Sequence, residues 1–267
     1  QLTQRLHICG LTLELSGWRE APVRLERIVI RQYEEHMTEK VTIGDAELWH
    51  GDCREVLPLL QGVDAIVTDP PYGIAYQHSG SHGSNAHPKA SQLRGTHAIV
   101  GDDTSFDPTH LFSKCAAVIV FGANHFCQRL PNGGSWLVWD KFGDHMPWRN
   151  DQSDVEMAFH TKRGVDRIFK HLWKGLAFSQ AGEDWGLVNG RASRVHVTQK
   201  PVRLMQWCIQ QVGEADLICD PYMGSGTTGI ACLRLNRKFV GVEIERRYFD
   251  IACERIDREQ QQARLAV

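Results

Sequence analysis

No stretch of the chain approaches the ~20 uninterrupted apolar residues that a membrane span needs. The opening QLTQRLHICGLTLELSGWRE also lacks an apolar run ending in a small-residue cleavage site. The expectation is therefore a cytoplasmic protein with no membrane partner. An excess of charge of one sign is missing as well: thirty Lys and Arg face thirty-two Asp and Glu, a formal charge of -2, which excludes a protein that binds polyanions through its overall charge. None of the eight cysteines (Cys9, Cys53, Cys115, Cys127, Cys208, Cys219, Cys232, Cys253) belongs to a Cys-x-x-Cys pair. Most sit among apolar neighbours as small hydrophobes do, so neither a disulfide framework nor a zinc site is expected and no metal is assigned. Internal repeats and low-complexity tracts are absent too, and the composition rules out disorder, collagen and coiled coil.

What is present is the composition of a globular protein, 42% hydrophobic and 23% charged over 267 residues, enough for one large α/β domain or two small ones. A boundary falls near residue 37. Residues 1–36 hold a short apolar alternation (Leu11, Leu13, Leu15) and a charged stretch, and Met37 then opens a clean α/β pattern. Two readings stand: Met37 is the natural start and 1–36 an extension, or 1–36 is an ordinary N-terminal arm ahead of a domain spanning 37–267. Beyond Met37 short β-branched runs end in turn residues, the signature of buried parallel strands. They are Ala46–His50, Ala65–Thr68, Ala117–Phe121, Trp136–Trp139, Val155–Phe159, Leu217–Cys219 and Phe239–Val242. Helical periodicity fits Arg54–Leu60, Thr109–Cys115, Val202–Val212, Thr227–Leu235 and Arg247–Arg258. Strands alternating with helices predict a mostly parallel, doubly wound α/β sheet, with an antiparallel edge pair where two strands between Trp136 and Phe159 lack a helix.

Two motifs carry chemistry. Leu217 to Gly229 reads as a strand, a tight glycine turn and a helix start, with Gly224 and Gly226 letting a ligand approach the backbone. The next strand ends at Glu243, where a carboxylate can accept hydrogen bonds from both ribose hydroxyls of a nucleoside; the bland alternative is a purely structural turn. A dehydrogenase would need several more strands after Glu243, yet only 24 residues follow it. The missing strands must then come from earlier in the chain, a circularly permuted order. The second motif is a buried strand running into Asp69-Pro70-Pro71-Tyr72. Consecutive prolines fix φ and remove two N–H donors, leaving a stiff turn whose carbonyls can face a ligand. Asp69 and the Pro70 carbonyl can each accept a hydrogen of an exocyclic amine while Tyr72 stacks on the ring that bears it. The alternative is a surface turn with a capping Asp.

Thr68 to Gly73 and Asp220-Pro-Tyr-Met-Gly-Ser-Gly-Thr-Thr228 together resemble the catalytic and cofactor motifs of amino-group DNA methyltransferases, which use S-adenosylmethionine. The catalytic motif comes first, as in the permuted β class, and Val195-His-Val-Thr-Gln-Lys-Pro201 is similar to that class's segment upstream of the cofactor strand. Val197 departs from its proline and Tyr222 from its usual Phe. The resemblance, over roughly 46–258, implies a Rossmann-like methyltransferase fold. It places Asp220 near the methionine part of the cofactor, with Tyr222, Ser225, Gly226 and Thr227 in the same pocket and Lys200 at its border. Asp52 would contact the adenine amine of the cofactor; with Glu55 it also forms a capping box, and the two readings are compatible.

Residues 162–203 contain nine Lys or Arg against three acids, a local charge of +6, interleaved with Trp173, Phe178 and Trp185. By resemblance a target-recognition region falls at 162–195; a solvated basic face is the alternative. Residues 74–105 form a long Gly/Ser/His-rich loop, read as a flap closing over DNA rather than a metal site built on His78, His82, His87 and His97. The resemblance implies double-stranded DNA as partner, base flipping and direct methyl transfer to the N6 amine of adenine, because Asp at the first motif position is commoner in adenine enzymes. Rival readings are a cytosine-N4 enzyme, an RNA or protein-glutamine methyltransferase, and a DNA-binding module without catalysis. A homodimer and a restriction partner are both left open.

Overall fold

The computed structural model describes residues 4–8, 11–15, 38–75, 100–142, 153–172, 186–188, 191–193 and 199–265. The chain divides into two compact units, Gln1–Met37 and Thr38–Val267. In the first, β1 (Gln4–Ile8) and β2 (Leu11–Leu15) form an antiparallel hairpin.

The second unit opens with β3 (Glu39–Ile43), β4 (Ala46–His50), a short α1 (Cys53–Val56) and β5 (Ala65–Thr68). There follow α2 (Thr109–Lys114), β6 (Ala117–Phe121), β7 (Ser135–Asp140), β8 (Val155–His160), β9 (Arg167–Lys170) and a hairpin of β10 (Gly186–Val188) and β11 (Arg191–Ser193). The chain closes with α3 (Val202–Gln211), β12 (Leu217–Asp220), α4 (Thr227–Arg234), β13 (Lys238–Glu243) and α5 (Arg246–Leu265). Nine strands make one sheet in the order β3-β4-β13-β12-β5-β6-β8-β7-β9. The five from β4 to β6 are parallel neighbours. The fold is Rossmann-like, and the permuted order is visible in it: β4 and β5 are consecutive in the chain, yet the last two strands lie between them.

Alternating side chains divide the core between the two faces of the sheet. Ala65, Val67, Ile119, Phe121 and Ile218 join α3, α4 and α5 on one side. Ile66, Val118, Val120 and Cys219 join α1 and α2 on the other. Strands buried on both faces read as unbroken apolar runs, which is why Ala65–Thr68 and Ala117–Phe121 appear in the structure with the bounds expected.

Elsewhere the expectations need correction. The pair β7 and β8 is antiparallel, but it does not form the edge: β9 pairs parallel with β7 outside it, and β3 adds an antiparallel strand at the opposite edge. The helix expected over Arg54–Leu60 stops at Val56 and continues as a 3₁₀ turn, Leu57–Leu59. Pro58 has no N–H to give the α pattern. The last helix runs seven residues beyond Arg258, since 259–265 hold neither Gly nor Pro to stop it. No helix among the described residues is long and apolar enough to cross a membrane.

Candidate active site

The parallel sheet reverses its winding between β12, which crosses over to β13, and β5, which crosses over to β6. Ligands of open α/β sheets bind at that switch point, at the carboxyl ends of the strands. Thr68 ends β5 and Asp220 ends β12, and the Thr68 hydroxyl donates to Asp220 Oδ1 at 2.6 Å. The two motifs, 147 residues or more apart in the chain, therefore begin side by side.

Asp220 is buried, and its remaining bonds are internal: Oδ2 accepts from the Thr228 hydroxyl at 2.5 Å and Oδ1 from the Tyr222 N–H at 3.1 Å. Burial lifts its carboxyl to about 6 against the pull of these donors. Its carboxylate ties β5, β12 and α4 together, a structural office that the sequence reading, which put it beside the methionine part of a cofactor, did not foresee.

On the glycine-loop side, Gly224 has φ +52° and open space where a Cβ would stand, so a ligand can lie against the backbone there. Its N–H donates to Glu243 Oε2 at 2.9 Å, and the Glu245 N–H donates to Oε1 at 2.8 Å. Burial raises the Glu243 carboxyl to about 7. Asp52 lies two residues past β4, the strand paired with β13, and its Oδ1 caps α1 through the Arg54 N–H at 2.8 Å. The cap is realised through Arg54 and is compatible with a ligand contact from the same carboxylate. Ser225 and Thr227 turn toward Arg255, whose buried guanidinium donates to the Ser225 carbonyl at 2.5 Å and its Oγ at 2.8 Å, and to Thr227 Oγ1 at 3.4 Å. Tyr222 shares a 3.0 Å hydrogen bond between its hydroxyl and His110 Nε2, and its ring meets Phe106 edge-on. The hydroxyl that distinguishes Tyr222 from Phe thus has a partner of its own.

On the other side, Asp69 is committed at both oxygens. Oδ1 accepts from the Tyr72 hydroxyl at 2.5 Å, and Oδ2 from Lys200 Nζ at 2.6 Å. Burial pushes the Asp69 carboxyl up and the Lys200 ammonium pulls it down, with a net rise. Burial also works against the Lys200 charge, yet Asp69 and Glu156 hold its pKa well above the ordinary lysine range. Lys200, expected at the cofactor border, is buried between two carboxylates, Asp69 and Glu156, the latter at 3.0 Å, so its charge does not add to a solvent-facing basic segment.

The sequence motif offers the Tyr72 ring to a target base. In the structure it stacks on His125, with centroids 5.2 Å apart and planes at 16°, so one face is already spent. Gly122 (φ +67°) lies so close that a Cβ would stand 2.1 Å from the ring. Past Pro70 and Pro71, the turn is fastened by Asp102, whose Oδ1 accepts from the Gly73 N–H at 2.8 Å. The flap expected at 74–105 lies outside the described residues over 76–99. Sequence reasoning missed Glu156, Asp102, Gly122, His125 and Arg255. Only Glu156 left a signal, an acid inside the apolar strand Val155–Phe159.

The fold and the paired motifs define an open α/β sheet with a candidate ligand site at its switch point, and comparison with known proteins narrows the class. The sequence model of the DNA methylase family matches residues 103–254, and the chain belongs to that family. It is 38% identical over 137 residues to the type II methyltransferase M2.DpnII of Streptococcus pneumoniae, an alignment covering 51% of this chain and 47% of that protein. With M2.MboI of Moraxella bovis it shares 29% identity over 133 residues, 49% of this chain and 44% of the relative. The chain thus matches less than half the length of these relatives. Among solved structures, M1.HpyAVI aligns over 79% of this chain and 98% of its own at 21% identity and a TM-score of 0.46, a likeness that carries no further argument.

Proposed function

We propose that the chain transfers a methyl group from S-adenosylmethionine to the N6 amine of adenine in double-stranded DNA, with the base flipped out of the duplex. The observation that carries this reading is the juxtaposition of Asp69 and the glycine loop across the β5–β12 switch point, joined by the Thr68–Asp220 hydrogen bond. The residues on the glycine-loop side suit the cofactor. Glu243 offers a carboxylate to a ribose diol, Gly224 an open backbone, and Asp52 an acceptor for an adenine amine. When bound, S-adenosylmethionine supplies a methyl already activated by its sulfonium.

The chain's own residues then align and polarise. Asp69 and the Pro70 carbonyl would accept the two amine hydrogens and draw the nitrogen lone pair out of the ring; as the new N–C bond forms, the methyl's bond to sulfur breaks to leave a neutral thioether, and the proton shed by the amine passes to the Asp69 carboxylate and on to solvent. Catalysis is alignment plus electrostatics. A carboxylate at the first motif position favours adenine over cytosine as the target. The target-recognition region is assigned to 162–195, where Lys162, Arg163, Arg167 and Lys170 are exposed on and beside the edge strand β9. Trp173, Phe178, Trp185 and Arg194 lie outside the described residues. A solvent-facing basic edge is what phosphate contacts require.

Transfer of tritiated methyl to duplex DNA, followed by nucleoside mass spectrometry, tests the reading. N6-methyladenine is the expected product. N4-methylcytosine as sole product would overturn the base assignment, and label on RNA or protein alone would overturn the substrate.

A further inference from the structure

Beyond binding and transfer, the charges that line up behind Asp69 have no assigned work: the buried Lys200 and the half-buried Glu156 and Lys141. Lys200 Nζ lies 2.6 Å from Asp69 Oδ2 and 3.0 Å from Glu156 Oε2. Glu156 Oε1 is in turn 3.4 Å from Lys141 Nζ. Asp69 has both oxygens engaged, by Tyr72 and by Lys200, whereas Glu156 Oε2, though close to the ammonium and buried, accepts no well-aligned hydrogen bond. An incoming amine needs an oxygen of Asp69, and the Glu156 oxygen, already 3.0 Å from the ammonium but poorly aligned with it, can take up the displaced ammonium.

We propose that Lys200 and Glu156 are positioning residues for Asp69: the Lys200 ammonium holds Asp69 ionised and covers its Oδ2 until a target amine arrives, and Glu156 receives the ammonium when it is displaced. No bond to a heavy atom is made or broken in this handover; one N–H···O contact replaces another, and the ammonium keeps its protons. The inference rests on the proposed amine-methylating function for the identity of the incoming group, but not for the coupling between the two charges.

Among the described residues, these groups face the cluster. Tyr72 donates to Asp69, Lys141 backs Glu156, Asp220 sits on the neighbouring strand with its charge felt at Asp69, and the buried Cys208 thiol faces Lys200. An opposite charge at this distance moves a carboxyl by about one to three pH units. Removing the ammonium must therefore raise the Asp69 midpoint, and removing the Glu156 charge must lower it.

The test reads Asp69 directly. Protein labelled with carbon-13 at the Asp carboxyls is titrated by NMR, with the Asp69 signal assigned through Asp69→Asn. The Lys200→Met variant is expected to shift the Asp69 midpoint up by at least about one pH unit, and Glu156→Gln to shift it down. An unchanged midpoint in both folded variants would overturn the coupling. If Lys200→Met does not fold, Glu156→Gln decides alone. The handover is read by kinetics of methyl transfer to DNA above the titration range: Glu156→Gln should lower kcat at least tenfold with KM held within twofold, since the ammonium has lost its second seat. A kcat within twofold of wild type would overturn it. A wild-type protein that methylates no DNA would instead defeat the proposed function, and the NMR titration would still decide whether Lys200 governs Asp69.

Discussion

Glu243 gives the sharpest quantitative expectation. Its two oxygens already accept the Gly224 and Glu245 N–H groups at 2.9 and 2.8 Å, and burial lifts its carboxyl to about 7 from an ordinary 4.5. A ribose diol can donate to the carboxylate; the protonated acid is a poorer acceptor and must first lose its proton. Ligand and proton therefore compete. Affinity should rise by up to tenfold per pH unit between about pH 5.5 and 7, then level off. Glu243→Gln keeps the shape without the charge. It should weaken binding by about 1.5 to 3 kcal/mol, roughly 10- to 150-fold, and flatten the pH profile. Calorimetry with S-adenosylmethionine measures this, but the ligand's own α-amino group titrates at ~7.7 to 8.0. Methylthioadenosine, which keeps the ribose and lacks the amino acid, isolates the Glu243 contribution. Affinity for methylthioadenosine that changes less than twofold from pH 5.5 to 8, or a Gln variant that keeps the wild-type slope, would refute the assignment.

Other perturbations follow from the same geometry. Asp69→Ala removes an amine acceptor and should abolish methyl transfer while leaving cofactor affinity within a few-fold; transfer within tenfold of wild type, about 1.4 kcal/mol, would remove Asp69 from the reaction. Gly122→Ala puts a methyl into the Tyr72 ring and a side chain at φ +67°; it should lower stability by more than about 1 kcal/mol and lower transfer further by moving Tyr72 off Asp69, as thermal unfolding and a methylation assay run in parallel would show. Asp220 carries a folded-state pKa of about 6 against 3.8, so the folded state binds the extra proton and this residue's contribution to stability falls as pH rises from about 4 to 6, by roughly 3 kcal/mol. Asp220→Asn should erase that slope in urea unfolding, and a slope that survives would place the titration elsewhere.

The division between what sequence patterns disclosed and what only three dimensions disclosed has a physical cause. Ala65–Thr68 and Ala117–Phe121 are buried on both faces, and their apolar runs announce them. Arg167–Lys170 is an edge strand, mostly exposed, and Glu39–Ile43 alternates half-buried with exposed residues; neither leaves an apolar run to read. The same rule governs the site. Asp69-Pro70-Pro71-Tyr72 and the Gly224 loop are contiguous because a turn or loop must be built from neighbours. Glu156, His125, Asp102 and Arg255 reach the site singly from separate elements, so no spacing betrays them. Lys200 shows the hazard of the opposite case. A legible motif located the residue, but its partners come from two separate strands, Asp69 just past β5 and Glu156 on β8, and the pairing could be seen only in the fold.

The place of β12 and β13 in the sheet bears on how the protein is made. During synthesis β4 and β5 emerge about 150 residues ahead of β12 and β13, the segments that fill the two strand positions between them. Until then the nascent chain holds two open edges facing each other across a gap, and pairing that joins residues about 150 positions apart is slow and prone to aggregation. A chain stalled before Leu217 lacks the wedge that joins the two halves, so loss of residues 217–267 splits the sheet rather than trimming it. Cofactor loop and sheet closure arrive in one step, and a partly made chain with a working ligand pocket is not available to this topology.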